Sequence, residues 1–348
     1  MYRTFIRPIL FCMKPERAQR AFLALARCSS YFPGRPIVRL THRYTAPELQ
    51  RELFGINFPN PVGLAAGFDV DGESLGPLND FGFGFIEIGS LSPHAQAPTL
   101  KQRAYRLNHD GAMLIRPGLK HKGIRNAIAN IKKYSRPGLV VSANIAPNTS
   151  SHKDEEVIKD YVVAFSLLYD FVDMFTVNIS CPNEDGILPI QEKNDLADII
   201  DPLLELRLCY DTYKPILVKV SPDIPYEQLD EMLDYCQLAG VDGVVAGSYT
   251  KDRSQLSSKR SQKLEKITPA FVAGAPLYER NLKLVKHIAE YTKGRFPIIG
   301  CGGISSPEQA AEMLSSGASL IQIGTAISYK GPRLVKKTLK YLVNGQNH

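Results

Sequence analysis

The sequence predicts an α/β fold, a (β/α)8 TIM barrel with a small N-terminal helical extension, and three observations predict it. Eight short Val- and Ile-rich runs alternate with helical patterns along most of the chain. The last two runs, within Phe296–Gly303 (FPIIGCGG) and Ser319–Thr325 (SLIQIGT), each end in glycine and flank a helix expected from about Pro307 to Ser316. In such barrels a phosphate commonly rests on backbone amides of the loops after strands 7 and 8, where glycine lets the chain approach an anion. Finally, 348 residues exceed the roughly 250 of a bare barrel, leaving about a quarter of the chain for something else.

Composition narrows the function. With 44% hydrophobic and 22% charged residues, the chain can bury a full core. The net charge of +7 is modest for this length and the basic residues are spread out, so no nucleic-acid partner is expected. Cys12, Cys28, Cys181, Cys209, Cys236 and Cys301 form no CxxC pair, and no histidine stands at a ligand spacing from them. That implies free thiols in a reducing compartment and no metal.

Residues 1–40 read as a separate amphipathic segment, with the barrel assigned to 41–348. Tyr2, Phe5, Ile6, Ile9 and Leu10 recur at helical spacing, and after Pro15 so do Ala18, Ala21, Phe22, Leu25 and Ala26, among many arginines and lysines. No apolar run reaches the roughly 20 residues of a membrane span, and charges interrupt any signal-peptide core. Two short basic helices result, and two readings of them stand: helices lying on a bilayer, or a cap packed on the barrel.

Arg51–Asn57 reads as a short strand or turn ahead of the barrel. The eight strands are expected at Asn60–Leu64, Phe85–Gly89, Leu139–Ile145, Met174–Ile179, Pro215–Val220, Gly243–Ala246, Pro297–Gly300 and Leu320–Ile323. A doubly wound open sheet is the structural competitor. It requires a Gly-rich dinucleotide turn after its first strand, which GLAAGFD does not spell. Between Lys251 and Lys266 a Ser- and Lys-rich stretch follows the sixth strand and reads either as a lid or as a solvated loop.

Barrel chemistry lies at the C-terminal strand ends. There the third strand offers Asn144, the fourth Asn178, the fifth Lys219 with Ser221 beyond it, and the sixth Ser248. In PILVKVS, Lys219 shares a face with Leu217 and Ser221, and a lone lysine within an apolar strand points to a cation held at the barrel mouth. Each asparagine taken singly is equally one that bonds its own loop backbone. After the fourth strand, Asn178–Asn183 (NISCPN) places Cys181 at the same mouth, where a thiol near a lysine gains thiolate character.

These residues carry a resemblance. Tyr2–Phe11 (YRTFIRPILF) with Pro15–Ala18 (PERA), Asn60–Glu73 (NPVGLAAGFDVDGE), Phe81–Ser90 (FGFGFIEIGS), NISCPN, Val218–Asp223 (VKVSPD) and GCGGI together resemble dihydroorotate dehydrogenase. The N-terminal part is similar to the class 2, membrane-associated, quinone-reducing branch. The resemblance implies FMN with its phosphate near Gly274, Gly302, Gly303, Gly324 and Thr325. Its ring would lie against Ala65, Ala66, Gly67, Ser90, Asn144, Asn178, Lys219 and Ser248. It implies a small-molecule substrate at Asn178, Asn183, Ser248 and Tyr249, a quinone partner, and peripheral association with the cytoplasmic side of a membrane. Cys181 would act as the base, as in the soluble class 1 enzymes, where class 2 members carry serine.

The chain also departs from the family pattern. Val70 stands where the family has a lysine reaching the flavin and substrate, and Ile115-Arg116-Pro117-Gly118-Leu119-Lys120 replaces an asparagine-rich segment that binds the orotate ring. Ser248 and Tyr249 stand in the strand-6 segment that carries an asparagine in the family. Pro147, Gly324 and Gln19 replace a lysine, a tyrosine and a histidine, while Arg106 is kept. Three functions follow: a dihydroorotate dehydrogenase, a relative acting on another dihydropyrimidine-like or enone substrate, or a non-catalytic barrel with a binding role.

Overall fold

The computed structural model describes residues 2–31, 33–97, 102–151, 153–180, 182–183, 186–187, 193–257, 264 and 267–345, with side chains at 182–183, 186–187 and 193–194 excepted. Its strands are β1 (Arg51–Leu53), β2 (Ile56–Phe58), β3 (Val62–Leu64), β4 (Phe85–Leu91), β5 (Ala104–Leu107), β6 (Ala112–Ile115), β7 (Val140–Ile145), β8 (Met174–Asn178), β9 (Pro182–Asn183), β10 (Gly186–Ile187), β11 (Ile216–Val220), β12 (Gly243–Ala246), β13 (Phe271–Gly274), β14 (Ile298–Cys301) and β15 (Leu320–Ile323). Eight of them, β3-β4-β7-β8-β11-β12-β14-β15, close into a parallel barrel in sequence order, with β15 pairing back onto β3. This is the predicted TIM barrel, and its strands fall within two residues of their expected bounds. The helix between the last two strands spans Pro307–Ser315.

Alternation along each strand separates two cores. Ile86, Ile88, Val141, Phe175, Val218, Val244 and Ile321 face outward into the large cluster shared with the surrounding helices. Phe85, Val140, Met174, Leu217, Val245, Ile299 and Leu320 face inward and fill the barrel. Phe85 occupies its centre because β3 presents glycine beside it: a Cβ at Gly63 would lie 2.2 Å from the Phe85 ring. The β1–β2 hairpin plugs the N-terminal end, with Phe58 edge-on to Phe85 at 5.5 Å between ring centres. Burying these side chains on both faces stabilises the barrel by roughly 1.5–3 kcal/mol each before entropy is counted.

Two features were not anticipated. β5, β6 and β13 form a three-stranded antiparallel sheet, in which Ile115 faces both Ala104 and Phe271. It stands beside the mouth of the barrel. The N-terminal segment also has more helix than expected: after a π-turn at Tyr2–Ile6 come α1 (Arg7–Phe11), α2 (Pro15–Ser29) and α3 (Gly34–His42). Pro15 opens α2 at its first position, where its missing N–H costs nothing, and Ala18, Leu23 and Ala26 bury one face.

This segment is bound to the barrel by specific contacts. Tyr2 donates its hydroxyl to Ser328 O at 2.7 Å. Glu16 accepts from the backbone of Arg103 and Ala104 at 2.8 and 3.1 Å, which pins α2 to the edge of β5. Gln19 Nε2 donates to Gly67 O and Phe68 O at 2.9 and 2.6 Å, and so holds the loop after β3. Arg106, on β5, donates to Leu10 O, Phe11 O and Met13 O at the C-terminal end of α1. The stretch after β12 is anchored where it is described: Lys251 N donates to Asp223, Arg280 pairs with Asp252, and Arg253 donates to Ile267 O and Ala270 O.

Candidate active site

Above the apolar layer, inward-facing positions two residues further along the strands become polar. Glu87 on β4 is completely buried. Its Oε1 accepts from Asn144 Nδ2 at 2.8 Å, and its Oε2 accepts from Thr176 Oγ1 at 3.1 Å and Gln322 Nε2 at 2.7 Å. Lys219 Nζ lies 3.7 Å from Oε1, an ion pair within the barrel between β4 and β11. The face that the lysine shares with Leu217 is the barrel interior, and Lys219 is 6% exposed there.

From this layer a chain of hydrogen bonds climbs to the mouth. Ser90 donates to Asn144 Oδ1, Asn178 Nδ2 donates to Ser90 Oγ at 2.9 Å, and Asn178 Oδ1 accepts from Ser180 N and Oγ at 3.2 and 3.0 Å. Cys301 ends β14 in the same interior, where burial pushes its thiol up against the pull of Lys219. Asp69 shapes the loop after β3 by accepting from Glu73 N and Ser74 N, and burial raises its carboxyl to about 7.

The glycine loops converge on one side of this mouth. At Gly274 a Cβ would sit 3.0 Å from Thr325 Cγ2, and at Gly324 it would sit 3.3 Å from Ala65 Cβ. Gly303 adopts φ +84° and is pressed so closely on the start of the Tyr278–Tyr291 helix that a Cβ there would lie 2.3 Å from Tyr278 N. Backbone from four strand ends is therefore gathered at one place.

A cavity of about 830 Å³ extends from this mouth to the gap beneath α1 and α2. Ala65, Ala66, Gly67, Ser90, Asn178, Lys219, Ser248, Tyr249, Gly274, Gly302, Gly303, Gly324 and Thr325 all line it. Asn144 is set one layer down, fully buried and reaching the wall only through Ser90. Cys181 lies outside the described residues, as does the side chain of Asn183. The far end is walled by Leu10, Phe11, Phe22, Leu23 and Tyr329, with Gln19 and Arg106 among them.

The dihydroorotate dehydrogenase family profile matches residues 48–344. The chain belongs to the dihydroorotate dehydrogenase family. It is 35% identical over 343 residues to the dihydroorotate dehydrogenase (quinone) of Christiangramia forsetii, covering 97% of each chain. It is likewise 35% identical to that of Yersinia pseudotuberculosis, covering 98% of this chain and all of the other. DHODH from Eimeria tenella in complex with ferulenol superposes with a TM-score of 0.83 at 25% identity, covering 96% of this chain and 92% of the other.

Family members carry a flavin, and the residues here fit one. Gln322 Oε1 is a buried acceptor at the edge of the cavity with no hydrogen-bond partner among the described residues, and Asn178 has a second amide N–H beyond the one given to Ser90. An acceptor, a donor and a cation thus face a cavity that also has a close-packed glycine rim. Three departures from the family pattern line the same cavity: Val70, Ile115 and Ser248. The sequence reading missed Glu87 and Gln322, although the rule that singled out Lys219, a lone polar residue within an apolar strand, applies equally to Glu87 in FIEIGSL and Gln322 in LIQI.

Proposed function

We propose that the chain is an FMN-dependent dehydrogenase that oxidises dihydroorotate to orotate in pyrimidine biosynthesis and passes the electrons to a quinone. The observation that supports it most is the continuity of the cavity, which joins Lys219 and Asn178 at the mouth to an apolar compartment under α1 and α2. A polar oxidisable substrate and an apolar electron acceptor need different walls, and the two ends supply them.

FMN, when bound, supplies a two-electron acceptor ring with an anionic phosphate tail. Gly274, Gly302, Gly303, Gly324 and Thr325 would hold the phosphate on backbone amides. Ala65, Ala66, Gly67, Ser90, Asn178, Lys219 and Ser248 would flank the ring, with Asn144 acting from behind Ser90. Lys219 turns the positive end of its ion pair toward the cavity, because it lines the wall and Glu87 lies behind it. A fixed cation there stabilises negative charge that develops during electron transfer. Cys181 removes the substrate proton at Sγ; a thiol titrates near pKa 8.5 in its reference state, so its base form is far more accessible than an alkoxide. Asn178, Asn183, Ser248 and Tyr249 orient the substrate.

Val70, Ile115 and Ser248 favour a second reading: a dihydropyrimidine-like or enone substrate with fewer polar groups than dihydroorotate. Each unpaired polar group on a buried ligand costs roughly 1–3 kcal/mol, so two lost asparagines weaken orotate binding by orders of magnitude. Anaerobic stopped-flow separates the readings. Rapid bleaching of the flavin by dihydroorotate sinks the second, and bleaching by other reductants alone sinks the first. Cys181→Ala is expected to slow reduction roughly 10²–10⁴-fold while retaining the flavin.

Peripheral membrane docking belongs to the same proposal. Phe5, Ile9, Leu25, Ile37 and Leu40 are exposed on the N-terminal helices among arginines, and Leu40 is 80% exposed. No helix among the described residues is long and apolar enough to cross a membrane. Deleting residues 1–35 removes Phe5, Ile9 and Leu25 and should weaken binding to anionic liposomes without releasing flavin, and a full-length protein that ignores such liposomes removes the membrane role.

A further inference from the structure

Glu87 touches four other strands of the barrel at once, through Asn144 on β7, Thr176 on β8, Lys219 on β11 and Gln322 on β15. A carboxylate only accepts hydrogen bonds, so each neutral neighbour must turn a hydrogen toward it. That requirement propagates. Asn144 gives its N–H to Glu87 and therefore presents Oδ1 to Ser90, whose hydroxyl is spent on it and whose oxygen accepts from Asn178. Asn178 Oδ1 then accepts from Ser180, and every hydrogen from Ser180 down to Glu87 points the same way. Gln322, held by its Nε2, must direct Oε1 elsewhere, and that oxygen has no partner among the described residues.

We propose that Glu87 is the positioning residue of this site: it fixes the hydrogen-bond polarity of the amides that face the cofactor and keeps the buried Lys219 charged. The lysine is almost fully buried, and burial without a counter-charge favours the neutral amine. The pair spans 3.7 Å between β4 and β11, and Lys219 lines the cavity while Glu87 does not. Glu87 itself does not line that cavity and acts only through its neighbours.

The proposal rests on the flavin reading above, and its test separates the two. Glu87→Gln keeps the shape but adds donors where only acceptors fit, and it removes the charge that balances Lys219. In protein carrying flavin, the ratio of reduced- to oxidised-flavin affinity should fall tenfold or more, a drop in midpoint potential of about 30 mV for a two-electron couple. Glu87→Asp should recover most of that shift. An unchanged or raised potential in Glu87→Gln overturns the proposal, because mere loss of core packing would lower the melting temperature without moving the potential in this direction. If Glu87→Gln retains no flavin, melting of the flavin-free chain decides. The Glu87→Gln/Lys219→Met double variant should melt above Glu87→Gln alone, whereas simple addition of the two losses overturns the pairing. If the unmodified protein yields no flavin on acid extraction, the flavin reading fails instead, and the melting cycle still reports on the pair.

Discussion

Replacing Arg106 with methionine should open the N-terminal helices while leaving the barrel folded. Arg106 is 8% exposed. Its Nη1 donates to Met13 O at 2.7 Å and Phe11 O at 3.3 Å, its Nη2 donates to Leu10 O at 3.3 Å, and its plane lies 4.6 Å from the centre of the Phe11 ring. Leu10 and Phe11 close α1 and Met13 lies just beyond it, so the guanidinium ties down the C-terminal end of the helix, where carbonyls run short of backbone donors. Charge-assisted bonds contribute about 1.5–3 kcal/mol each, less when long, and the ring contact about 1 kcal/mol. Methionine retains the apolar stem but none of the donors, so the segment should lose about 3–5 kcal/mol. A loss of 3 kcal/mol raises the population of the open segment roughly 150-fold. Under conditions where opening is fast, trypsin cleavage at Arg3, Arg17 and Arg20, none of which precedes a proline, should accelerate by that order, with the main thermal transition of the barrel little changed. Lysine at this position, a single charge without the fork, should restore only part of the protection. A variant cut no faster than the parent would refute the claim that Arg106 holds the helices down.

Gly303→Ala should cost flavin before it costs fold, since its Cβ would meet Tyr278 backbone at 2.3 Å and the loop must shift; retention of cofactor at parental stoichiometry contradicts the rim assignment. His121 is buried and its ring is pushed down to about 4 by burial alone, while the unfolded chain titrates near 6.5. The unfolded state therefore binds more protons between those values, and stability falls as pH drops from 6.5 toward 4, by up to about 3 kcal/mol. Denaturant melts at several pH values should show a shallower acid loss in His121→Gln, and parallel curves would exclude His121 as the source.

How far the sequence reached depended on the range of the information. The eight barrel strands were legible because each is a local run of β-branched residues closed by a turn or helix signal, and Lys219 because its strand face follows from period two alone. The sheet of β5, β6 and β13 was not legible: its strands are four residues long, and β6 meets β13 across more than 150 residues of chain. α3 carries an amphipathic pattern too, but Gly34 and Pro36 in its first turn lower its intrinsic helix propensity, and the docking of this helix beside Leu75–Asp80, with Arg35 on Asp80 at 3.1 Å, makes it worth forming.

The site shows the same division. The identity of the glycines at strand ends and of the residues that resemble a family pattern belongs to the sequence itself. Which polar side chains face one another does not, because barrel strands are buried on both sides and their composition carries no mark of inside and outside. FIEIGSL says only that Glu87 shares a face with Phe85. Barrel closure brings it against Gln322, 235 residues away, and against Lys219, so that one buried acceptor determines the direction of every hydrogen bond above it.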